Sequence, residues 1–483
     1  MSYGDVGVDA GWTTSTWERT VDPAPQGPDD QEFDLEVQDV YDRGDAVCVI
    51  GAGSSGLAAV KNLIEHGFAV DCYERDTGVG GAWNRRHDRS PVYANTHLVT
   101  SKPLTQYPDF PIPDHWPDYP HHSRLVEYLE RYADHFGLRE HIWFGTEVVR
   151  LEPVGDGRWH VMIRAQGSRK ARVLRYAAVV IANGHNWHPN MPDYPGQHEF
   201  LGQLMHSSAY TDGSILRDRK VLVVGSGDSG TDIAVEAAQQ ARKTWHSSRR
   251  GYWYTPKYLL GRPADRVRDM LWALRIPLWL RQRIIQLLIR LTLGKHERVG
   301  LPRPEHKVFA SHPVVNSQLI HHIQHGDIEP RPDIARFVGD LVYFTDGSFA
   351  DPDIVVFATG YQPRFEFIDV RHLNAGSDGL PNLYLNIFTP VHQTLFVAGL
   401  IQSDSGHFSL VHWQTVAIAQ WLRVRREAPD RAAKFWPRVG TEAERRWTVT
   451  KMIDTPRHRY EVSHHIYLRA LERVINELEG SKP

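Results

Sequence analysis

Residues 46–56 read Ala46-Val47-Cys48-Val49-Ile50-Gly51-Ala52-Gly53-Ser54-Ser55-Gly56. Five apolar residues in a row predict a short strand buried on both faces, and the glycines predict a tight turn. Leu57, Val60, Leu63 and Ile64 then recur at helical spacing. The order strand, glycine turn, helix is what a dinucleotide-binding α/β unit needs. The first glycine permits the turn, the second lets backbone approach a pyrophosphate, and the third packs helix on strand. The helix start adds unpaired N–H groups and a positive dipole. A following strand, Val70-Asp-Cys-Tyr-Glu74, ends in an acid placed to bind a ribose hydroxyl pair. A nucleotide without a 2′-phosphate is expected here; the alternative is a glycine turn in a nucleotide-free α/β fold.

The same pattern occurs again at Lys220-Val-Leu-Val-Val224, Gly225-Ser-Gly227-Asp228-Ser229-Gly230-Thr231, then Ile233, Val235 and Ala238. The strand after this turn ends at Ser247-Ser-Arg249-Arg250, with two arginines where the first unit has an acid. A guanidinium fork matches phosphate oxygens, so this site is expected to take NADPH rather than NADH. The alternative is a solvated arginine pair. Asp228 inside this turn is anomalous, because a carboxylate repels a pyrophosphate unless backbone N–H groups occupy it.

Two further strands, Ala178–Ala182 and Asp353–Phe357, close on Asn183-Gly184 and Ala358-Thr359-Gly360. Strands closing on glycine admit a second backbone or a ligand. The order of these pieces predicts an α/β fold of two Rossmann-like dinucleotide-binding domains, the NADPH domain inserted into the FAD domain. The expected boundaries are an acidic, flexible extension over 1–44 and a first FAD part over 45–195. The NADPH domain follows over 196–335, then the second FAD part and C-terminal helices over 336–483. Proline-rich His188–Pro195 marks the outward crossing.

Two nucleotide sites in one chain point to hydride traffic from NADPH to a resident second cofactor, FAD. Glycines in Gly78-Val-Gly80-Gly81-Ala-Trp83 let backbone pass a bulky ring, which Trp83 could wall.

Composition bounds the rest. At 483 residues, about two to four domains are expected. With 41% hydrophobic and 23% charged residues, low-complexity disorder, collagen-like repeats and a coiled coil are excluded. Two cysteines, Cys48 and Cys72, cannot build a disulfide scaffold, a CxxC pair or a four-cysteine zinc site; both read as buried strand residues. No run reaches a membrane span, and no signal-peptide pattern opens the chain, so a reducing cytoplasm is the expected compartment. The net charge of −3 divides into −10 over residues 1–45 and +7 over the remainder. A pI near 6.8 gives no case for nucleic acid, whereas the mildly basic body suits phosphate-bearing ligands.

With these motifs in place, the chain resembles the flavin-containing monooxygenases, a branch of the class B flavoprotein monooxygenases. Phe200-Leu-Gly202-Gln-Leu-Met-His206-Ser-Ser-Ala-Tyr210 fits the signature FxGxxxHxxx(Y/F), and Ala358-Thr-Gly-Tyr361 fits ATGY. Thr100-Ser-Lys102 with Tyr107-Pro-Asp-Phe-Pro111 resembles the flavin-side segment. The resemblance spans 45 to about 425.

It implies FAD on Gly51, Gly53, Ser54, Ser55, Gly56, Glu74, Gly81, Trp83 and Thr100. It implies NADPH on Gly225, Gly227, Ser229, Gly230, Thr231, Arg249 and Arg250, with Gly360 beside the cofactors. Candidate catalytic residues are His206, Tyr210 and Val99. His206 has the alternative of a packed linker residue holding the domains in register. Val99 stands where many members carry an asparagine three residues before the lysine, and it offers no side-chain hydrogen bond.

The implied activity is NADPH- and O2-dependent oxygenation, through a C4a-hydroperoxyflavin, of a nitrogen or sulfur atom in a small organic substrate. Alternatives are Baeyer–Villiger oxygenation of a ketone, and a non-catalytic or uncoupled NADPH-binding flavoprotein. Tyr210-Thr211, where Baeyer–Villiger enzymes usually carry Trp-Pro or Trp-Asp, argues against the ketone reading.

Residues 265–295 are apolar and punctuated by Arg268, Arg275, Arg281, Arg283 and Arg290. The favoured reading is a helical insertion packed on the NADPH domain; a lid and a membrane-lying basic surface are alternatives. His321, His322 and His325, and the pairs His121-His122 and His464-His465, lack a third ligand motif, so no metal site is expected. A homodimer is the default oligomer.

Overall fold

The computed structural model describes residues 40–453, 455 and 458–480. The tryptophans Trp12 and Trp17 and most of the acidic extension lie outside these residues. The extension ends earlier than the expected residue 44: Tyr41–Asp42 pairs in parallel with Leu174–Arg175, and Arg43 donates to Asp71 at 2.7 Å.

The first glycine turn belongs to a five-stranded parallel sheet. Its spatial order is Leu395–Val397, Ala178–Ile181, Val47–Ile50, Val70–Tyr73, Ile142–Trp143. The three central strands are buried along their whole length; two are unbroken apolar runs, and in Val70–Tyr73 the buried Asp71 accepts from Arg43 and Tyr176. One face packs through Val47, Val49, Leu57 and Val60 onto the C-terminal helices Phe408–Glu427 and His464–Glu479. The other face, with Cys48 and Ile50, meets Trp159, Val161 and Tyr176 of an antiparallel meander.

The second glycine turn belongs to another five-stranded parallel sheet. Its order is Gln203–His206, Ile354–Phe357, Lys220–Val224, Lys243–Ser247, Ile328–Arg331. Insertion of the second unit into the first is therefore observed, but the chain returns later than the expected residue 335. Ile354–Phe357 sits beside Lys220–Val224, because Ala358 must present its carbonyl to Gly225. The outward crossing His188–Pro189 pairs antiparallel with Tyr361–Gln362, which places the return beyond Tyr361. No helix of the described residues is long and apolar enough to cross a membrane.

The 265–295 stretch forms helices Ala264–Ala273 and Leu278–Leu293, the second starting after Pro277. They share a small core of Leu271, Ile285, Ile289 and Val308.

The third glycine of each turn has no tolerance for a side chain. A Cβ at Gly56 would stand 1.7 Å from the Gly51 carbonyl oxygen, and one at Gly230 would stand 2.0 Å from that of Gly225. Gly230→Ala is expected to destabilise the protein by at least about 2 kcal/mol, as overpacking against fixed backbone does. Thermal melts followed by circular dichroism check this.

Candidate functional site: two glycine turns on one cavity

At the first turn, Gly51 adopts φ +100°, and its missing side chain leaves room for the Ala182 carbonyl, 2.7 Å from where a Cβ would lie. Helix Ser54–Glu65 starts at Gly53 with no side-chain cap, so its first N–H groups are left for a ligand. Backbone meets backbone at the next point: a Cβ on Gly81, at φ +49°, would lie 2.9 Å from Cα of Gly53. That bare cradle is what a pyrophosphate-bearing cofactor requires. Glu74 is buried beside it, accepting from Ala52 N at 2.6 Å and Asp76 N at 2.9 Å. Burial pushes its carboxyl above the usual range, against the pull of those N–H groups. Ser54, Ser55, Gly81, Trp83, Val99 and Thr100 all line the adjoining cavity.

The second turn repeats this construction. Gly225 adopts φ +112°, with the Ala358 carbonyl 2.4 Å from where its Cβ would lie, and helix Asp228–Gln240 starts uncapped at Gly227. Asp228 does engage a backbone N–H, accepting from Val315 at 3.1 Å. Arg249 is exposed on the cavity wall, whereas Arg250 turns its Nε to the Tyr252 hydroxyl at 3.1 Å. Gly225, Gly227, Ser229 and Gly360 line the cavity; Thr231 instead donates its hydroxyl to the Asp228 carbonyl at 2.9 Å. Gly56 and Gly230 are packing residues, buried behind their turns.

Both turns open onto one cavity of about 2640 Å³. Of the candidate catalytic residues, it exposes Val99 and leaves His206 and Tyr210 out of its lining. His206 holds a structural post. Its Nε2 donates to the Gly360 carbonyl at 3.0 Å and its Nδ1 accepts from Ser208 N at 3.1 Å. Burial lowers its pKa to about 4, which keeps the ring neutral. Tyr210 is buried against Tyr93, ring centroids 5.6 Å apart.

Several wall residues escaped the sequence reading. His185 and His407 face the cavity, with pKa values lowered by burial to about 4 and about 3. Neither sits in a recognisable pattern. Arg268 of the helical insertion lines the cavity and donates to the Asp404 carbonyl at 2.8 Å, while Asp265 accepts from Ser101 N at 2.6 Å. Both contacts are tertiary, to residues 136 and 164 positions away, so nothing in the local sequence of the insertion marks them. His321 and His325 share a helical face, rings 4.0 Å apart, and His322 pairs with Asp327.

A family model described as flavin-binding monooxygenase-like matches residues 44–477. The chain belongs to that family. It is 35% identical over 379 residues to human flavin-containing monooxygenase 1, covering 74% of this chain and 69% of that one. It is 32% identical over 392 residues to a rabbit (Oryctolagus cuniculus) dimethylaniline monooxygenase [N-oxide-forming] 2, covering 78% and 72%. Its fold is similar to that of cyclohexanone monooxygenase from Rhodococcus sp. Phi1 bound to NADP+, with TM-score 0.63 and 21% identity over 92% and 97% of the two chains. This protein is thus a flavin-dependent monooxygenase. The bare Gly53–Gly81 cradle fits the pyrophosphate of FAD, and the exposed Arg249 fits the 2′-phosphate of NADPH.

Arg249→Ala is expected to raise KM for NADPH more than about tenfold, the loss of one charge-assisted phosphate contact, and to leave KM for NADH nearly unchanged. Steady-state kinetics with both donors check this. Buried His206 and His246, both lowered to about 4, are among the groups that set the acid stability. Each is neutral when folded and protonates near 6.5 when unfolded, so its stabilisation is complete above pH 6.5 and is lost as pH falls towards 4. The unfolding free energy from urea titrations is expected to drop across that window, by up to about 1.4 kcal/mol per pH unit per imidazole, and less steeply in His206→Gln.

Proposed function

We propose that this chain is an NADPH- and O2-dependent monooxygenase that oxygenates a soft nucleophile, nitrogen or sulfur, in a small organic substrate. The observation that carries the reading is the single cavity joining the two turns, with Glu74 at one and Arg249 at the other. The N-oxide-forming activity in the name of the rabbit relative, at 32% identity, favours nitrogen over carbon. When bound, NADPH supplies the hydride, and FAD supplies the activation of O2.

The residues contribute position and exclusion of water. Gly53 and Gly81 would take the FAD pyrophosphate, Glu74 would meet its ribose, and Thr100 and Trp83 would line the rest of its site. Arg249 would anchor the 2′-phosphate of NADP(H). His206 and Tyr210 act through packing: His206 fixes Gly360, where the chain leaves the second sheet.

Val99 on the cavity wall favours a second reading, oxygenation beside a ketone, since it withholds the polar contact many family members have there. A thioether, a tertiary amine and a cyclic ketone, assayed side by side for NADPH consumption and oxygenated product, separate the readings. Turnover of the ketone alone overturns the first. Val99→Asn adds one hydrogen-bonding group. It is expected to lower the share of NADPH lost as H2O2 about fivefold, the equivalent of about 1 kcal/mol, as measured by a peroxidase-coupled assay.

A further inference from the structure

Asp228 is a charge that nucleotide binding alone does not account for, and it is not isolated. Asp228 opens helix Asp228–Gln240 and Asp232 follows one turn later, so the two carboxylates share a face, and both line the cavity. Asp232 is gripped from two sides. The Tyr93 hydroxyl donates to its Oδ2 at 2.9 Å, and Asn316 Nδ2 donates to its Oδ1 at 2.7 Å. The Asp228 carboxylate accepts the Val315 N–H named above.

The other ionisable groups around the pair are few. Lys257 attracts both carboxylates, while burial lowers its own pKa. Tyr93 is pushed up by burial and by Asp232, so it stays a neutral donor. One turn further along, Glu236 accepts from Asn95 Nδ2 and Gly213 N, both at 2.9 Å. Burial first, then the charge of Asp228, raises Asp232 to about 6.

The N–H groups at the start of this helix are where the dinucleotide's pyrophosphate is expected. Its arrival sets two more negative charges against two carboxylates and one lysine. Protonating one carboxyl relieves that repulsion, and Asp232 is already raised towards protonation. We propose that Asp232 takes up a proton when NADP(H) occupies the second turn, so that the Asp228–Asp232 pair ties dinucleotide affinity to pH. The inference rests on the assignment of NADP(H) to this turn. The proton comes from solvent, forms one O–H bond on Asp232, and returns to solvent when the dinucleotide leaves. Because binding consumes a proton, affinity falls as pH rises above the value at which free Asp232 ionises.

Titration calorimetry of NADP+ into the oxidised, FAD-loaded enzyme tests this, at about pH 7.5 in two buffers of different ionisation heat. The expected result is uptake of about 0.3 to 1 proton per NADP+ beyond that in Asp232→Asn, whose amide keeps partners for Tyr93 and Asn316. Kd for the wild type is expected to rise up to about tenfold per pH unit relative to that variant, and less steeply in Asp228→Asn. The 2′-phosphate titrates in both proteins, so the difference removes it. Equal proton counts in wild type and Asp232→Asn overturn the proposal while leaving the NADP(H) assignment standing. If the variant does not fold, NAD+, which has no 2′-phosphate, serves as probe for the wild type, and binding without proton uptake overturns it. Absence of any NADP+ binding overturns both the proposal and the assignment.

Discussion

The structure depends on one contact made twice: a carbonyl oxygen pressed into the space where a glycine lacks a side chain. Ala182 does this to Gly51 and Ala358 does it to Gly225. Around each contact the same bonds recur. Ala182 N donates to the Ile50 carbonyl and Ala358 N to the Val224 carbonyl, while Gly51 N and Gly225 N donate to Tyr73 and Ser247. Even the side chain beneath the turn has a counterpart. Cys72 Sγ lies 3.5 Å from the Gly51 carbonyl, and His246 Nε2 donates to the Gly225 carbonyl at 3.1 Å. These residues pair in register with Val49 and Val223. A residue larger than glycine at 51 or 225 separates three strands at once, and the uncapped helix start that faces the cavity moves with them.

Doubling this unit in one chain makes the crossings between the sheets the next constraint. His188–Pro189 and Tyr361–Gln362 pair where the chain leaves and re-enters the first unit. His206 ties the last residue of its strand to Gly360 at the same level. A neutral imidazole suits that post, because it can donate at one nitrogen and accept at the other. Ligand sites of open α/β sheets form beyond the carboxyl ends of their strands, and both sheets direct those ends at the shared cavity.

Residues whose place is set by chain-local geometry are legible in the sequence. The glycines, Glu74 and Arg249 stand at fixed offsets from a strand end, and spacing alone locates them. The return of the chain was misplaced because Asp353–Phe357 is equally apolar whichever sheet receives it; only the fit of Ala358 against Gly225 decides. His206 and Tyr210 are bonded and packed away from the cavity, a distinction that no spacing encodes. Asp265, Arg268, His185 and His407 reach the site through contacts with residues more than a hundred positions away or with an irregular loop, so no local pattern marks them.

The loop from Tyr93 to Ser101 connects the two halves of the cavity physically. Tyr93 and Asn95 bond to Asp232 and Glu236 on the helix of the second turn, and Ala94 N donates to the Thr211 carbonyl. At its other end, Ser101 N donates to Asp265 of the helical insertion. Val99 and Thr100 lie between these anchors and face the cavity. Their position is therefore set by the second unit as much as by the first. A change in charge at Asp232 acts on the same hydrogen bond that holds Tyr93, six residues before Val99. The wall nearest the proposed flavin position thus shares its supports with the helix of the dinucleotide turn and with the helical insertion.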